Sequence, residues 1–248
     1  MSSELIMGRN PVLEALRSGR DINKILISEG SQKGPIQQII HLAKESNVLI
    51  QFVPKKKIDQ LAEGMNHQGV IAQVAAYTYF EVEDMLKNAK SQGETPFLLI
   101  LDEIEDPHNL GSIMRTADAV KVHGIIIPKR RSVGLTATVA KSSTGAIEHI
   151  PVARVTNLAR TIDELKEQGL WVAGTDAKGE MDYRQIDGTL PLALVIGSEG
   201  KGIGRLIREK CDFLLRLPMS GHVTSLNASV AAGLLMYEVY RKRYPLGE

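Results

Sequence analysis

The feature that most constrains this chain is a set of short apolar segments between residues 97 and 217, most of them separated by stretches of helical periodicity. "FLLILDE", "HGIIIP", "IPVARV", "LWVAGTD", "LALVIGSE" and "FLLRLPM" read as buried strands. Between them "NLGSIMRTADAVK", "TATVAKSST", "LARTIDELKEQG" and "GRLIREKCD" read as helices, and a long final helix follows from "NASVAAGLLMYEVYRKRY". Strands of this kind alternating with helices predict an α/β fold with a parallel sheet covered on both faces. In such sheets ligands gather at the loops beyond the carboxyl ends of the strands.

A smaller α/β unit is expected ahead of this one. "NPVLEALRSG" is amphipathic and stops at Gly19, "INKILISE" and "VLIQFVP" have strand character, "GPIQQIIHLAKESN" has helical character, and "HQGVIAQVAAY" is strand-like again. From Tyr77 to Thr95 the chain turns polar and acid-biased, which predicts a linker holding one short helix. The expected organisation is therefore a domain over 1–76, a linker over 77–95 and a second domain over 96–248.

A chain of 248 residues with 43% apolar and 24% charged residues has the balance of a soluble globular protein, and no apolar run reaches the length of a membrane span. The N-terminal sequence has no basic region followed by an apolar one, so no secretory signal is expected. The single cysteine, Cys211, fits a cytoplasmic protein and reads as a small buried apolar residue. The six histidines are scattered, so no metal site is expected. The net charge of +1 conceals an asymmetry. Lys121 to Arg160 holds seven basic residues against one acid, whereas Thr161 to Gly200 holds eight acids against three bases. A solvated face accounts for most such runs, but "PKRRS" beside "KSSTG" also suits a phosphate backbone.

Three loops are dense in Gly, Ser, Asn and charge. "LVIGSEGKGIGRL" fits neither the phosphate-cradling loop, since Gly202 follows Gly200-Lys201, nor the dinucleotide fingerprint, since its third glycine comes one position early. A glycine-dense turn carrying Glu199 remains, where backbone can approach a ligand or simply turn tightly. In "DEIEDPHNLGSIMRTADA", Asn109 is expected to cap a helix that presents Arg115 near its start, placed to grip a phosphate, although a surface arginine is also an ordinary solvated charge. In "RLPMSGHVTSLNAS", Ser225 or Asn227 has the character of an N-cap for the final helix.

Taken in order, these loops resemble the SpoU (TrmH-like) branch of the SPOUT RNA 2′-O-ribose methyltransferases. The signature asparagine-x-glycine-x-x-x-arginine is Asn109, Gly111 and Arg115; the second motif is "IGSEGKGI" and the third "LPMSGHVTSLNASVA", within residues 97 to 243. The leading unit, with "GRNPVLEAL" and "HQGV", resembles the L30e-like substrate-binding domain of the RlmB type, which acts on a guanosine of 23S ribosomal RNA. The resemblance implies a trefoil knot in the last third, S-adenosylmethionine as cofactor, a homodimer, and no membrane or metal. It implies a catalytic set of Asn109, Arg115, Glu199, Ser225 and Asn227, with the cofactor held by Thr175, Gly197, Gly202, Leu217 and Leu226. Arg9, Asn10, Lys129, Arg130, Lys141 and Ser142 are expected to contact RNA.

The family proposal makes Arg115 the group that activates the hydroxyl. A guanidinium has a pKa above about 12, so an electrostatic clamp on phosphate and developing alkoxide is the better physical reading. The competing expectations are 2′-O-methylation of a tRNA or another rRNA nucleotide, a non-enzymatic RNA-binding or ribosome-assembly protein, and a small-molecule methyltransferase. The intact set of five polar residues speaks against a dead site. A small-molecule enzyme leaves the leading unit and the basic 121–160 segment without a role.

Overall fold

The structure, a computed structural model, describes residues 5–31, 34–74 and 77–246. The chain divides into two compact units, Met1–Thr78 with Gly134–Thr138, and Tyr79–Val133 with Val139–Glu248. The expected boundary at residue 76 itself lies outside the described residues.

The first unit contains β1 (Leu5–Met7), α1 (Arg9–Arg17), β2 (Ile22–Ser28), α2 (Pro35–Glu45), β3 (Ile50–Val53), α3 (Lys55–Ala62) and β4 (Val70–Val74). Its sheet runs β1-β4-β2-β3, with β2 and β3 parallel and β4 antiparallel to both neighbours. Alternation along the strands divides the core. Ile25, Ile27, Val70 and Ala72 pack with Val12, Leu16, Ile36 and Ile39 of α1 and α2, while Leu26 and Ile71 pack with Ile58 and Ala62 of α3. The helix starts follow local chemistry: Gly34 at the N-cap of α2 has φ 66°, and Pro35 opens the helix where its missing N–H costs nothing.

The second unit contains α4 (Val82–Ser91), β5 (Phe97–Leu101), α5 (Pro107–Ala119), β6 (Gly124–Pro128), all but the first two residues of α6 (Ala137–Ser142), β7 (Val152–Val155), α7 (Leu158–Glu167), β8 (Trp171–Thr175), β9 (Met181–Asp182), β10 (Leu192–Ile196), α8 (Arg205–Lys210), β11 (Phe213–Arg216) and α9 (Ala228–Arg243). The strand order is β7-β6-β5-β10-β8-β11-β9, parallel at every pairing. All five residues of β5 are buried, as the uniform apolar run predicts for a sheet covered on both sides. Leu98, Ile100, Ile126 and Val172 share one core with α4, α7 and α8, and α5 packs against α9.

Of the segment 77–95, expected as a linker, the part from Tyr79 on belongs to this unit. Met85, Leu86 and Ala89 of α4 are buried, a Cβ on Gly124 of β6 would overlap the Met85 side chain, and Phe80 bridges to Ala153. Polar residues on the outer face of α4 conceal an apolar face that does structural work. Among the described residues no helix is long and apolar enough to cross a membrane.

Candidate active site

Because the strands of the second unit are parallel, the loops after β5, β10, β8 and β11 leave from one edge of the sheet. Register fixes this: Leu101 pairs with Ile196, Val195 with Gly174, and Thr175 with Leu215. Three of these loops meet at one carboxylate. Asn109 Nδ2 donates to Glu199 Oε1 at 3.1 Å, Asn227 Nδ2 donates to the same oxygen and to Asn109 Oδ1 at 2.9 Å, and the Ala228 amide reaches Glu199 Oε1 at 3.3 Å. Glu199 thus lies at the N-terminus of α9, where the helix dipole favours a negative charge.

Asn227 serves two purposes with the two ends of its amide. Its Oδ1 caps α9 by accepting from Ser229 N at 3.0 Å and Val230 N at 3.3 Å, while its Nδ2 enters the Glu199 node. The cap and the node are therefore not alternatives. Ser225 is exposed in the segment before α9 and does not enter this node.

At α5 the structure corrects the sequence. The N-cap is Asp106, whose Oδ1 accepts from His108 N at 2.9 Å, followed by Pro107 in the first turn, so Asn109 is freed from capping and turns its amide to Glu199. Arg115 is then not near the helix start. It follows Asn109 by six residues, about 9 Å along the axis and roughly 240° around it. It is exposed, and no ion pair holds it among the described residues. One chain brings Asn109, Glu199 and Asn227 together and leaves Arg115 outside.

The glycine of the first motif has a packing reason. A Cβ on Gly111 would overlap Ser142, whose hydroxyl donates to Pro107 O at 3.1 Å. Ser142, expected to contact RNA, is half-buried and fastens α6 to α5. Of the other residues expected to contact RNA, Asn10, Arg130 and Lys141 are exposed. Arg9 is half-buried and donates through Nε to Gln68 O at 3.2 Å. Lys129 is half-buried; burial first, and then the Arg154 charge, hold its pKa below the usual lysine range.

The expected cofactor residues lie on neighbouring strand ends. Thr175 ends β8, Gly197 follows β10, and the half-buried Leu217 follows β11, with the half-buried Leu226 just ahead of α9. A Cβ on Gly197 would overlap the Gly202 backbone, and Ser198 and Gly202 exchange hydrogen bonds at 3.2 and 2.9 Å, so the 197–202 loop is a closed turn. Gly200 and Gly202 have φ of 79° and 68° and open space where a Cβ would stand. Ser198 Oγ is buried without a hydrogen-bond partner, an exception that calls for a ligand or water at that place. Apolar side chains, bare glycine backbone and one unmet hydroxyl are a donor set that suits a nucleoside-containing ligand. Among the described residues no group of three or more His, Cys, Asp or Glu is gathered as metal ligands would be.

Sequence reasoning passed over Asp102, at the end of β5. Its Oδ2 accepts from Gly204 N at 2.7 Å, tying β5 to the far end of the Glu199 loop. Burial, more than the neighbouring charges, raises its pKa. The "LDE" tail of an apolar strand was the only available signal. Cys211 meets its structural expectation: burial pushes its thiol up to about 12, and Sγ donates to Ile207 O at 3.3 Å.

Residues 96–237 match the SpoU rRNA Methylase family, and residues 5–80 match the family described as RNA 2′-O ribose methyltransferase substrate binding. The chain belongs to the SpoU rRNA methylase family. A Bacillus subtilis relative named as a TrmH family tRNA/rRNA methyltransferase, YacO, is 66% identical over 245 residues, covering 99% of this chain and 98% of that one. A Staphylococcus aureus (strain MSSA476) relative of the same family name is 58% identical over the full length of both. Among solved structures, the SpoU methyltransferase AviRb from Streptomyces viridochromogenes in complex with AdoMet superposes with a TM-score of 0.62 at 25% identity, over 96% of this chain and 90% of that one. The AdoMet-bound rRNA methyltransferase from Sinorhizobium meliloti gives 0.59 at 27% identity, over 96% and 86%. The Glu199 node therefore joins the three motifs by which SpoU members were expected to be read.

Proposed function

We propose that this RNA methyltransferase transfers the methyl group of S-adenosylmethionine to the ribose 2′-hydroxyl of a guanosine in 23S ribosomal RNA, in the cytoplasm and as a homodimer. The observation that carries the reading is the convergence of Asn109, Glu199 and Asn227 beside the 197–202 turn, with Ser198 Oγ unmet beneath it. When bound, the cofactor supplies an electrophilic methyl group on a sulfonium; this chain supplies position and charge. Thr175, Gly197, Gly202, Leu217 and Leu226 would hold the adenosine part. Glu199 fixes both asparagines, and its carboxylate would favour a cationic ligand. These residues would hold the ribose 2′-hydroxyl in line with that methyl group, and the hydroxyl proton would leave late or to water. Much of the rate comes from holding this alignment. Arg115 stabilises the phosphate and the developing alkoxide as a charge rather than as a base.

Two features support the homodimer. Val230, Leu234 and Tyr237 form an exposed apolar stripe on α9, at 51%, 43% and 53% exposure, although the opposite face, with Ala232, Leu235, Met236 and Val239, is already buried. The Gly233 Cβ position lies 3.9 Å from Thr116 Cγ2, so α5, which carries the exposed Arg115, packs on α9, the helix of this stripe. A partner packed there receives Arg115 in its own site, which accounts for the separation of Arg115 from Asn227 within one chain. The knot implied by the family is part of the same proposal: β10 inserted between β5 and β8, with the chain returning from β11 to pack α9 on α5, is the strand order it needs.

The first unit is proposed to choose the RNA. It carries none of the three motifs, and α3 exposes Lys55, Lys56 and Lys57 in a row. Methylation of a tRNA is the second reading, favoured by the names of the relatives, which specify tRNA or rRNA without choosing. Mapping ribose methylation in total RNA from cells with and without the protein tests both. Loss of one 2′-O-methylguanosine in large-subunit RNA is expected; loss of a tRNA mark with ribosomal RNA unchanged selects the second reading.

A further inference from the structure

A second depression opens on the same sheet edge as the Glu199 node. It is a cleft of about 330 Å³ formed where β5, β6 and β7 end and α7 and α8 begin. That volume lies within the range of small-molecule sites, about 300–1,000 Å³. Its floor is apolar, from Pro128, Leu158, Ala159, Leu206 and Ile207, with Leu206 58% exposed on a helix whose neighbour Ile207 is buried. Its walls carry Arg130, Arg131 and Arg205 against Asp102 and Glu103.

These charges are not equivalent. Glu103 is held by Arg131 at 2.7 Å, and Asp102 accepts from Gly204 N, so both acids are engaged inside the protein. Arg205 meets Glu209 at 3.0 Å but its side chain is 90% exposed, while Arg130 is exposed with no ion pair among the described residues. Asn157 caps α7 by accepting from Arg160 N at 3.1 Å, which leaves the amides of Leu158 and Ala159 at the cleft without intrahelical acceptors. An apolar floor with a free arginine, a second exposed guanidinium and two bare helix amides matches a nucleotide: base below, phosphate at the rim. An acidic peptide would use the cations and waste the floor.

The cleft and the node are two sides of one loop. Gly204 to Ile207 line the cleft and Glu199 makes the node, and five residues of chain span no more than roughly 18 Å. From this juxtaposition we propose that the cleft holds an unstacked nucleotide of the RNA strand a short way from the methylated one, with its base on Leu158 and Leu206 and its phosphate on Arg130 and the α7 amides. It rests on the reading of the protein as an RNA methyltransferase and adds to it a flanking-strand subsite, so that RNA is selected by the second unit as well as by the first. Binding there also links RNA to the cofactor loop through the Asp102–Gly204 hydrogen bond.

The test uses the full chain and a short fluorescent single-stranded RNA of mixed sequence, with S-adenosylmethionine affinity measured in parallel by calorimetry. The double variant Arg130→Ala, Arg205→Ala should weaken RNA binding about tenfold and flatten its salt dependence, with cofactor affinity unchanged. Leu206→Asp, an exposed position, should weaken RNA binding several-fold without changing the melting temperature. Unchanged RNA affinity in both variants overturns the cleft even when methyl transfer by the wild type is normal. Full rescue by Arg130→Lys together with a silent Leu206→Asp also overturns it, in favour of diffuse charge attraction. A wild type that binds RNA through these residues yet methylates no RNA leaves the cleft standing and removes the proposed reaction.

Discussion

The two edges of the large sheet treat polar groups in opposite ways. At the amino ends of β5, β6 and β10 they are fully engaged. The Arg243 guanidinium donates to Gly188 O, Thr95 O, Pro96 O and Leu190 O at 2.6–3.1 Å and lies over the Phe97 ring, 5.2 Å from its centroid. His123 accepts from Phe97 N at 3.0 Å through Nδ1, which leaves Nε2 to donate to Glu94 Oε2 at 3.0 Å. At the carboxyl ends, Ser198 Oγ is unmet, Arg130 is unpaired among the described residues, and Asp102 is a buried carboxylate with a raised pKa. One edge closes the fold; the other keeps donors and charges ready for a ligand that is not part of the chain.

The largest loss of activity is expected from Arg115, on α5 beyond the open edge. Arg115→Ala should lower RNA methylation by about a thousandfold, the scale of losing one preorganised charge stabiliser, and leave thermal stability unchanged because the side chain is exposed. Asn227→Ala should inactivate as well, by dismantling the Glu199 node. If each site combines Arg115 of one protomer with Asn227 of the other, mixing the two inactive variants after gentle dissociation should restore roughly a quarter of wild-type activity, since about half the dimers are mixed and each has one intact site of two. A mixture as inactive as its parents, with subunit exchange confirmed, places each site within one chain.

Next in size is the closed edge. Arg243→Ala strands four carbonyls that its guanidinium now satisfies, and should cost about 3 kcal/mol in urea denaturation, with activity per folded molecule preserved. Nearly unchanged stability would mean that water replaces the guanidinium and that the contrast between the edges is superficial.

This contrast also explains what could be read from sequence. The strands were legible because "FLLIL", "GIIIP" and "LALVI" are buried on both faces, and the three loops because their composition departs from the strands they follow. The start of α5 was misplaced at Asn109 although Asp106-Pro107 is the stronger signal, a capping carboxylate before a first-turn proline. β1 and β9, of three and two residues, carry no periodicity to detect. The place of α4 was hidden because three buried residues among polar ones look like an isolated helix until Gly124 is seen to receive Met85. The partners of Arg243 and His123 lie 26 to 148 residues away, and only the strand order brings them together.

A smaller effect separates structure from chemistry inside a single residue. Asn227→Ser keeps a good cap for α9 and removes the Nδ2 donor to Glu199 and Asn109. It should hold stability near wild type while cofactor affinity and methylation fall, whereas Asn227→Ala should lose about 1 kcal/mol of stability in addition. A serine variant with wild-type activity would reduce the node to a helix cap.

The smallest effect tests whether the open edge carries a cost. Asp102 is 7% exposed, and burial raises its pKa above the unfolded value. The folded state therefore binds its proton more tightly than the unfolded state does. Its contribution to stability is fully present below the ordinary carboxylate pKa of about 4 and is lost as pH rises through the folded value. Asp102→Asn removes this penalty and retains an oxygen to accept from Gly204 N, so at neutral pH it should match or exceed wild-type stability by up to about 1 kcal/mol, and the two proteins should converge near pH 4. Methylation should fall despite the gain, because the carboxylate also sets the field at the end of β5 beside Arg131 and the Glu199 loop. Denaturation curves of the two proteins that stay parallel from neutral to acid pH would show that Asp102 is not destabilised by burial. The open edge would then be as relaxed as the closed one, its readiness residing in Arg130 and Ser198 alone.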